Sequence, residues 1–373
     1  MVHPYSSRLL GFLEEVHRAK SYAGVSALER SAGAAHGLRT VFRWHRELGQ
    51  RLVYFPEVKF SWLGLCHAHV FLEEASALMF RLPYAVEYAW LAPGLGERVL
   101  YLHCVVPLED RESFGYLLKG LQDGGYCRGF SICLTGDGVQ VFQGLRSSFT
   151  TAGHLTLAGS FEGSWTLPEA SGRGLEALAG FPLALPVVFE HYGARLSLNQ
   201  VWNRVYKRVG QGVWAFFPKR QRKWTVNGKV YVKKALLQLS AEGLFLQNRV
   251  VYRPLLQKAC EVFLVVKVER EGLEGLAARL SAASVCLQVY PGLNAQAFIR
   301  VVGDTDLLYQ LLELFPEGMR ASVKAFVFDR AATWKQQEEV RFCWELLYDR
   351  ARNAWAYPKE KLLRWMGVEG YRG

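Results

Sequence analysis

One order of predicted elements occurs twice along this chain of 373 residues, and that repetition limits the folds open to it. In each half, short helices precede a series of strand, helix, two strands, helix and strand. The two halves are offset by about 200 residues. The sequence therefore predicts an internal duplication of the α+β class, in which two winged helix-turn-helix modules alternate with two ferredoxin-like βαββαβ sandwiches.

The first half is predicted from apolar periodicity and turn residues. Helices are expected near residues 6–23, 26–32 and 35–50, followed by a wing strand at 53–60 and the strands and helices of a βαββαβ unit. That unit comprises strands at 66–72, 85–91, 98–106 and either 129–134 or 139–142, with helices at 76–82 and 109–122.

The second half repeats the pattern more clearly. Its predicted helices are 185–192, 198–209 and 229–241, and a wing-like strand pair follows at 244–252. The second βαββαβ unit comprises strands 260–269, 285–290, 295–302 and 321–328, with helices 273–281 and 305–314. The aromatic spacing of residues 334–366 suits an amphipathic helix that is broken near Pro358.

The predicted domain boundaries follow these changes of pattern. In order they are winged helix 1 at 1–60, ferredoxin-like domain 1 at 61–145, a connector rich in Gly, Ser, Thr and Ala at 146–182, a basic winged helix 2 at 183–258 with an insertion at 211–224, ferredoxin-like domain 2 at 259–330, and a helical tail at 331–373.

The positive charge of the chain is concentrated in its second winged-helix region. No acidic residue lies between Glu190 and Glu242, and residues 191–258 hold fourteen Lys and Arg against the single acid Glu242. The whole chain has a net charge of +11, so the remainder is close to neutral. Such a local positive field favours a polyanionic partner, although a solvated basic face remains the alternative.

The candidate contacts to nucleic acid lie on the predicted helices 35–50, 198–209 and 229–241, in the inserted loop and in the wing-like strand pair at 244–252. Arginines recur on one stripe of helix 35–50, and lysines share a face of helix 229–241. Basic residues alternate with aromatic residues in the insertion, and this composition also suits binding to unpaired nucleobases. The candidates are Arg39, Arg43, Arg46, Arg204, Lys207, Arg208, Lys219, Arg220, Arg222, Lys223, Trp224, Lys229, Lys233, Lys234 and Arg249. Surface pairing with acids such as Glu47 is the alternative for the arginines, and burial of the loop aromatics in a core is the alternative for the insertion.

Other functional classes have little support in the sequence. No apolar run is long enough to span a membrane, no export signal is evident, and seven scattered cysteines fit a reduced, cytoplasmic protein. We find no phosphate-loop, nucleophile-elbow or HExxH motif, so we predict no enzyme, no catalytic residue and no cofactor. His67, His69 and His103 could share a sheet face. We expect them to be partly buried in hydrogen bonds rather than bound to zinc, with Cys66 and Cys104 on the opposite face.

The segment from Val226 to Leu244, VNGKVYVKKALLQLSAEGL, resembles the Lrp/AsnC family of transcription regulators. The resemblance places Leu239, Glu242, Gly243 and Leu244 at the end of a recognition helix that leads into a wing. It also makes residues 262–328 similar to the family's small-ligand and oligomerisation domain, including the passage from strand to helix between Asp304 and Leu307.

The chain also departs from the family pattern in three ways. Two copies imply a dimer folded into one polypeptide, residues 211–224 replace a tight turn, and the family's ligand-loop signature is missing at 92–97 and 291–296. An effector amino acid is therefore not expected.

We therefore expect a DNA-binding regulator that contacts duplex DNA through both winged helices and forms a homodimer through its sandwiches. The alternative is a translation factor that binds ribosomal RNA or a ribosomal subunit. A third possibility is an adaptor that docks through the aromatic tail from Trp334 to Trp365. No membrane partner is expected.

Overall fold

The computed structural model describes residues 37, 39–41, 43, 52–75, 85–94, 97–142, 198–209, 228–241, 243–252, 259–284, 286–304, 310–311, 313–327, 348–349 and 354–355. The elements in chain order are β1 (Leu52–Val58), a 3-10 turn (Phe60–Leu63), β2 (Leu65–Glu73), β3 (Ala85–Gly94), β4 (Glu97–Pro107), α1 (Arg111–Asp123), β5 (Gly129–Thr135), β6 (Val139–Phe142), α2 (Leu198–Val209), α3 (Gly228–Ala241), β7 (Phe245–Tyr252), β8 (Ala259–Lys267), α4 (Arg270–Ala283), β9 (Cys286–Pro291), β10 (Gln296–Asp304), α5 (Glu317–Arg320), β11 (Val323–Val327), β12 (Tyr348–Asp349) and β13 (Ala354–Trp355). Helices and antiparallel sheets are both present, as the predicted α+β class requires.

The chain forms two compact units, and each is built from two separate stretches. Unit 1 combines Met1–Lys59 with Arg173–Gln257, and unit 2 combines Phe60–Gly172 with Lys258–Gly373. Several predicted elements lie outside the described residues: the helices at 6–23, 26–32, 76–82 and 185–192, the insertion at 211–224, and most of the helix at 305–314.

The described part of unit 1 contains one long-range strand pair. Strands β1 and β7 run antiparallel, with Leu52 opposite Tyr252 and Val58 opposite Phe245. The predicted wing-like strand pair at 244–252 is therefore wrong, because that segment is one strand whose partner is β1, at the position predicted as a wing strand at 53–60. The pairing is nearly symmetric, since the first residue of each strand lies opposite the last residue of the other.

The two larger sheets in the described part of unit 2 have the same internal strand order. The first sheet has the order β3-β4-β2-β5, and the second has β11-β8-β10-β9-β6. Without β6, each sheet places its first strand in the centre beside its third, with its second and fourth strands at the edges. Adjacent strands in both sheets are antiparallel.

Strand β6 connects the two sheets of unit 2, because it follows β5 of the first sheet and pairs with β9 of the second. The crossover is fixed by a bridge between Thr135 and Gly292 and by a hydrogen bond from the Gly136 N–H to the carbonyl of Pro291. Gly138 lies directly against the ring of Tyr290, where any side chain would collide with the ring. Residues 129–134 and 139–142 were expected as alternatives, and both are strands.

The core of unit 2 has an apolar layer and an aromatic layer. The apolar layer joins α4 to the outer face of the second sheet and includes Leu264, Leu276, Leu280 and Ile299. The aromatic layer contains residues of both sheets; its members are Phe71, Val99, Tyr101, Cys133, Phe263, Tyr290 and Phe298. The two sheets therefore pack face to face through large rings.

Residues 348–349 and 354–355 are the described part of the predicted helical tail, and they are strands rather than helix, while the rest of the tail lies outside the described residues. Strands β12 and β13 form a short antiparallel pair in which Tyr348 lies opposite Trp355. The indole N–H of Trp355 donates a hydrogen bond to the carbonyl of Leu63. Aromatic residues seven positions apart fit one helix face, but they also fit opposite positions of a hairpin. The contact with Leu63 supports the hairpin.

Among the described residues, we find no helix with the length and apolar character needed to cross a membrane.

Candidate nucleic-acid interface

Helix α3 packs one apolar face and ends at a glycine. Val232, Ala235 and Leu236 are buried at helical spacing. Gly243 has a φ of +74°, a left-handed conformation that favours glycine and ends the helix. The predicted helix at 229–241 and its glycine stop are therefore confirmed.

The opposite face of α3 is exposed and carries two of the predicted lysines. Its described exposed residues are Val230, Lys233, Lys234, Leu237 and Ala241. They fall on one stripe because their spacings of three, four and seven residues match the helical period. Two ammonium groups are therefore presented to solvent near the centre of the helix.

Helix α2 packs through Val201, which is fully buried. Tyr206 is 41% exposed, and its ring lies 6.3 Å from the ring of Trp202, one turn earlier. Arg204 is half-buried on this helix. Neither α2 nor α3 has an acidic residue in its first turn. Both helix N-termini therefore add positive potential that no acid in the same turn offsets.

The first copy has a similar exposed arginine pair. The N–H groups of Thr40 and Val41 donate to the carbonyl of Gly37, whose φ of +81° again favours glycine. Val41 is buried, whereas Arg39 and Arg43 are exposed on helical residues. Four residues separate the two arginines, so they lie on one stripe.

The structure locates the predicted contact residues to different extents. Exposed side chains on helical residues are those of Arg39, Arg43, Lys233 and Lys234, and Arg204 is half-buried. Lys207, Arg208 and Lys229 are helical, and Arg249 lies in β7 opposite Phe55, but their side chains are outside the described part. Arg46, Lys219, Arg220, Arg222, Lys223 and Trp224 lie entirely outside the described residues.

A second polar cluster, which we call the histidine seam, lies between the two sheets of unit 2. It comprises His67 and His69 of β2, His103 of β4, Thr135 at the end of β5 and Asp137 of the crossover. All five are buried, and none is more than 3% exposed. Alternation along the strands places the three imidazoles on one face, so this part of the prediction is confirmed.

Hydrogen bonds satisfy most of the nitrogen atoms in the seam. His67 Nδ1 and His103 Nε2 lie 2.8 Å apart, so one donates to the other. His69 Nδ1 lies 2.9 Å from the Tyr101 hydroxyl, and its Nε2 lies 3.2 Å from Thr135 Oγ1. Its ring also stacks on Phe298 of the second sheet, with 3.7 Å between centroids. No group of three or more potential ligands among the described residues is arranged to hold a metal ion.

Protonation of His69 is opposed by its surroundings. Burial is the largest cause, followed by the charges of His103, His67 and Arg300, and together they hold the pKa of His69 well below its usual range. A neutral imidazole suits the site because an unpaired charge between two sheets would be costly.

Asp137 links the seam to the 3-10 turn. It accepts hydrogen bonds from the backbone N–H of Ser61, at 3.1 Å and 3.3 Å, and from the Ser61 hydroxyl. Its Oδ1 also lies 3.8 Å from His67 Nε2, which has no hydrogen-bond partner among the described residues. The Phe60 ring meets His67 edge to face at 5.3 Å.

The cysteines on the opposite face of the first sheet are buried structural residues. Cys66 and Cys104 are each 2% exposed. Burial raises the pKa of the Cys66 thiol to about 12, and it raises the pKa of Cys104 as well. Neither thiol is ionised near neutral pH, so a nucleophilic role has no support.

The seam has a charged counterpart in the second sheet. Arg300 of β10 forms an ion pair with Glu261 of β8, and its guanidinium lies 5.4 Å from the centre of the Phe263 ring. Arg300 and Glu261 are both largely buried. No sequence motif marks this pair. Comparing matched positions of the two copies, strand by strand, would have shown it.

Comparison with family models, curated proteins and solved structures found no match to this chain.

Proposed function

We propose that this protein binds nucleic acid through unit 1, and that it is a DNA-binding transcription regulator with an Lrp/AsnC-like architecture. The observation that carries the proposal is the exposed lysine face of α3, whose opposite face is buried. This helix lies in a stretch of the chain without acidic residues. A helix with an apolar back and a cationic front can enter a major groove while its lysines neutralise phosphates.

The duplicated layout supports the architecture we propose. The order β5-β2-β4-β3 and the order β11-β8-β10-β9 both agree with a ferredoxin-like βαββαβ unit. Helices α2 and α3, followed by β7, agree with a winged helix whose wing strand is shared with the other copy. The nearly symmetric β1–β7 pair and the facing sheets suit a dimer folded into one polypeptide. Further homodimerisation and a cytoplasmic location complete the proposal.

The test measures duplex DNA binding over a range of salt concentrations. In the variant Arg39→Gln, Lys233→Gln, Lys234→Gln, we expect the slope of log affinity against log salt to fall by about 2 to 3 units, at about 0.9 per lost phosphate contact. A control variant, Arg279→Gln with Lys324→Gln, removes exposed basic side chains of unit 2 and should leave the slope unchanged. Equal slopes in both variants, or no duplex binding at low salt, would contradict the proposal.

Binding to ribosomal RNA is the second candidate, because the described exposed face of α3 contains lysines but no arginine, asparagine or glutamine. Lysine contacts phosphate as a point charge and carries little base specificity. Replacing Lys219, Arg220, Arg222 and Lys223 with glutamine tests the insertion. If all four contact duplex phosphates, the salt slope should fall by about 3 to 4 units. An unchanged slope would exclude the loop from the interface with duplex DNA.

A further inference from the structure

The exposed stripe of α3 has an apolar component that phosphate binding does not explain. Val230 is 45% exposed and Leu237 is 44% exposed, although both are large apolar residues. They lie seven residues apart, and Lys233 and Lys234 lie between them on the same stripe. With a rise of 1.5 Å per residue, the two apolar side chains are about 10.5 Å apart along the helix axis.

The charge around these two residues restricts what can cover them. Lys233 and Lys234 are exposed between them, and the chain from 191 to 241 contains no acidic residue. A partner that lies along the stripe must therefore be anionic and must also offer apolar groups at that spacing. An apolar peptide helix would meet two lysines at the centre of its contact, where their desolvation is costly.

Duplex DNA meets both requirements. In its major groove the apolar group on a base edge is the C5-methyl of thymine, which valine and leucine can contact. At about 3.4 Å per base pair, a separation of about 10.5 Å spans at most about three base pairs, because a helix in the major groove is inclined to the DNA axis. Double-stranded RNA lacks that methyl group, and its major groove is too narrow for side chains to read.

We propose that Val230 and Leu237 read the methyl groups of two thymines within about three base pairs of each other, while Lys233 and Lys234 hold the flanking phosphates. This inference rests on the proposed function and specifies its target, since it makes thymine-containing duplex DNA the preferred ligand. Specificity then comes from two apolar contacts, and most of the affinity comes from charge.

The test compares a random-sequence duplex pool with the same pool in which deoxyuridine replaces thymidine. The two pools carry equal charge and differ in the methyl groups alone. At about 0.8 kcal/mol for each buried methyl, or about fourfold, two contacts predict about fifteenfold weaker binding of the best-bound uracil sequences. The salt slope should be the same for both pools, because the phosphate contacts do not change.

The variant Val230→Ala, Leu237→Ala should bind the two pools equally, because it removes the side chains that contact the methyl groups. It should keep its fold, since both residues are exposed and alanine favours the helix. Leu293→Ala is the matched control, because Leu293 is 38% exposed in unit 2, and it should keep the discrimination. Equal binding of both pools by the wild-type protein would overturn the thymine contacts and leave the proposed function standing. Loss of self-association in Val230→Ala, Leu237→Ala with no change in discrimination would instead assign the stripe to a protein contact. Failure to bind either pool at low salt would contradict the proposed function itself.

Discussion

The two larger sheets of unit 2 carry different polar side chains at one matched pair of strand positions. His67 and Glu261 are both the third residue of their strands, β2 and β8. The residues opposite the fifth positions are His103 in the first sheet and Arg300 in the second. The first sheet therefore has a hydrogen-bonded histidine pair where the second has a buried ion pair.

The difference shows that one backbone arrangement can hold either neutral or charged polar groups in its interior. A guanidinium stays charged at any pH that the protein tolerates, so Arg300 requires Glu261 permanently. Imidazoles lose their charge near neutral pH and can be buried as neutral groups. We therefore expect acid to affect the first sheet more than the second, and we expect loss of a partner to affect the second more than the first.

The largest expected effect is on the ion pair. Arg300→Met should lower the free energy of unfolding of unit 2 by about 3–5 kcal/mol, because it removes the guanidinium that neutralises the largely buried Glu261 carboxylate. Denaturant titration measures this change. The double variant Glu261→Met, Arg300→Met should recover most of the loss, since both charges of the pair are then removed together. Arg279→Met on the exposed face of α4 is the control and should change stability by less than about 0.5 kcal/mol. Equal destabilisation in the single and double variants would contradict this view of the pair.

An intermediate effect is expected from His69→Phe, which introduces the residue that Phe263 provides at the matched position of the second sheet. At neutral pH the variant should lose about 1–3 kcal/mol, because the Tyr101 hydroxyl and Thr135 Oγ1 lose their buried partner. Stability measured at pH 8 isolates this loss from titration. No loss would show that the two hydroxyl groups find other partners.

The smallest effect is the pH dependence. The pKa of His69 is lowered on folding, so below its unfolded value of about 6.5 the unfolded chain binds a proton that the folded chain excludes. Stability from this group is therefore complete above pH 6.5 and falls as the pH decreases, by at most about 1.4 kcal/mol per pH unit. Urea midpoints between pH 8 and pH 5 measure the slope, and His69→Phe should reduce it. An unchanged slope in that variant would show that His69 does not cause the acid sensitivity.

Local pattern was enough to predict most of the elements. The apolar spacing around Val201 and Val232 predicts α2 and α3, and the alternation in β2 and β4 predicts both strands and the shared face of their histidines. Strand pairing was harder to predict, because the partner of β1 lies in the other copy and the partner of β6 lies in the other sheet. Such pairings depend on long-range packing, which local periodicity does not encode.

The candidate sites also contain one part that local sequence predicts and another part that depends on long-range packing. The exposure of Lys233 and Lys234 follows from their place on an amphipathic helix, so sequence was sufficient for them. The contacts of Asp137 with Ser61 and of His69 with Phe298 join residues far apart in the chain. Asp137 lies on the crossover before β6, and the stack of His69 on Phe298 requires the two sheets to face each other. Neither the crossover nor the facing of the sheets had a local signal.

The most direct test of nucleic-acid recognition is a competition experiment at several salt concentrations. Purified protein is bound to a labelled thymine-containing duplex, and small ribosomal subunits are added in increasing amounts. If the protein is a DNA-binding regulator, the duplex stays bound until the subunits are in large excess, and Lys233→Gln with Lys234→Gln weakens the duplex complex. Release of the duplex at near-stoichiometric amounts of subunits would contradict the proposal and assign the basic face of unit 1 to structured RNA.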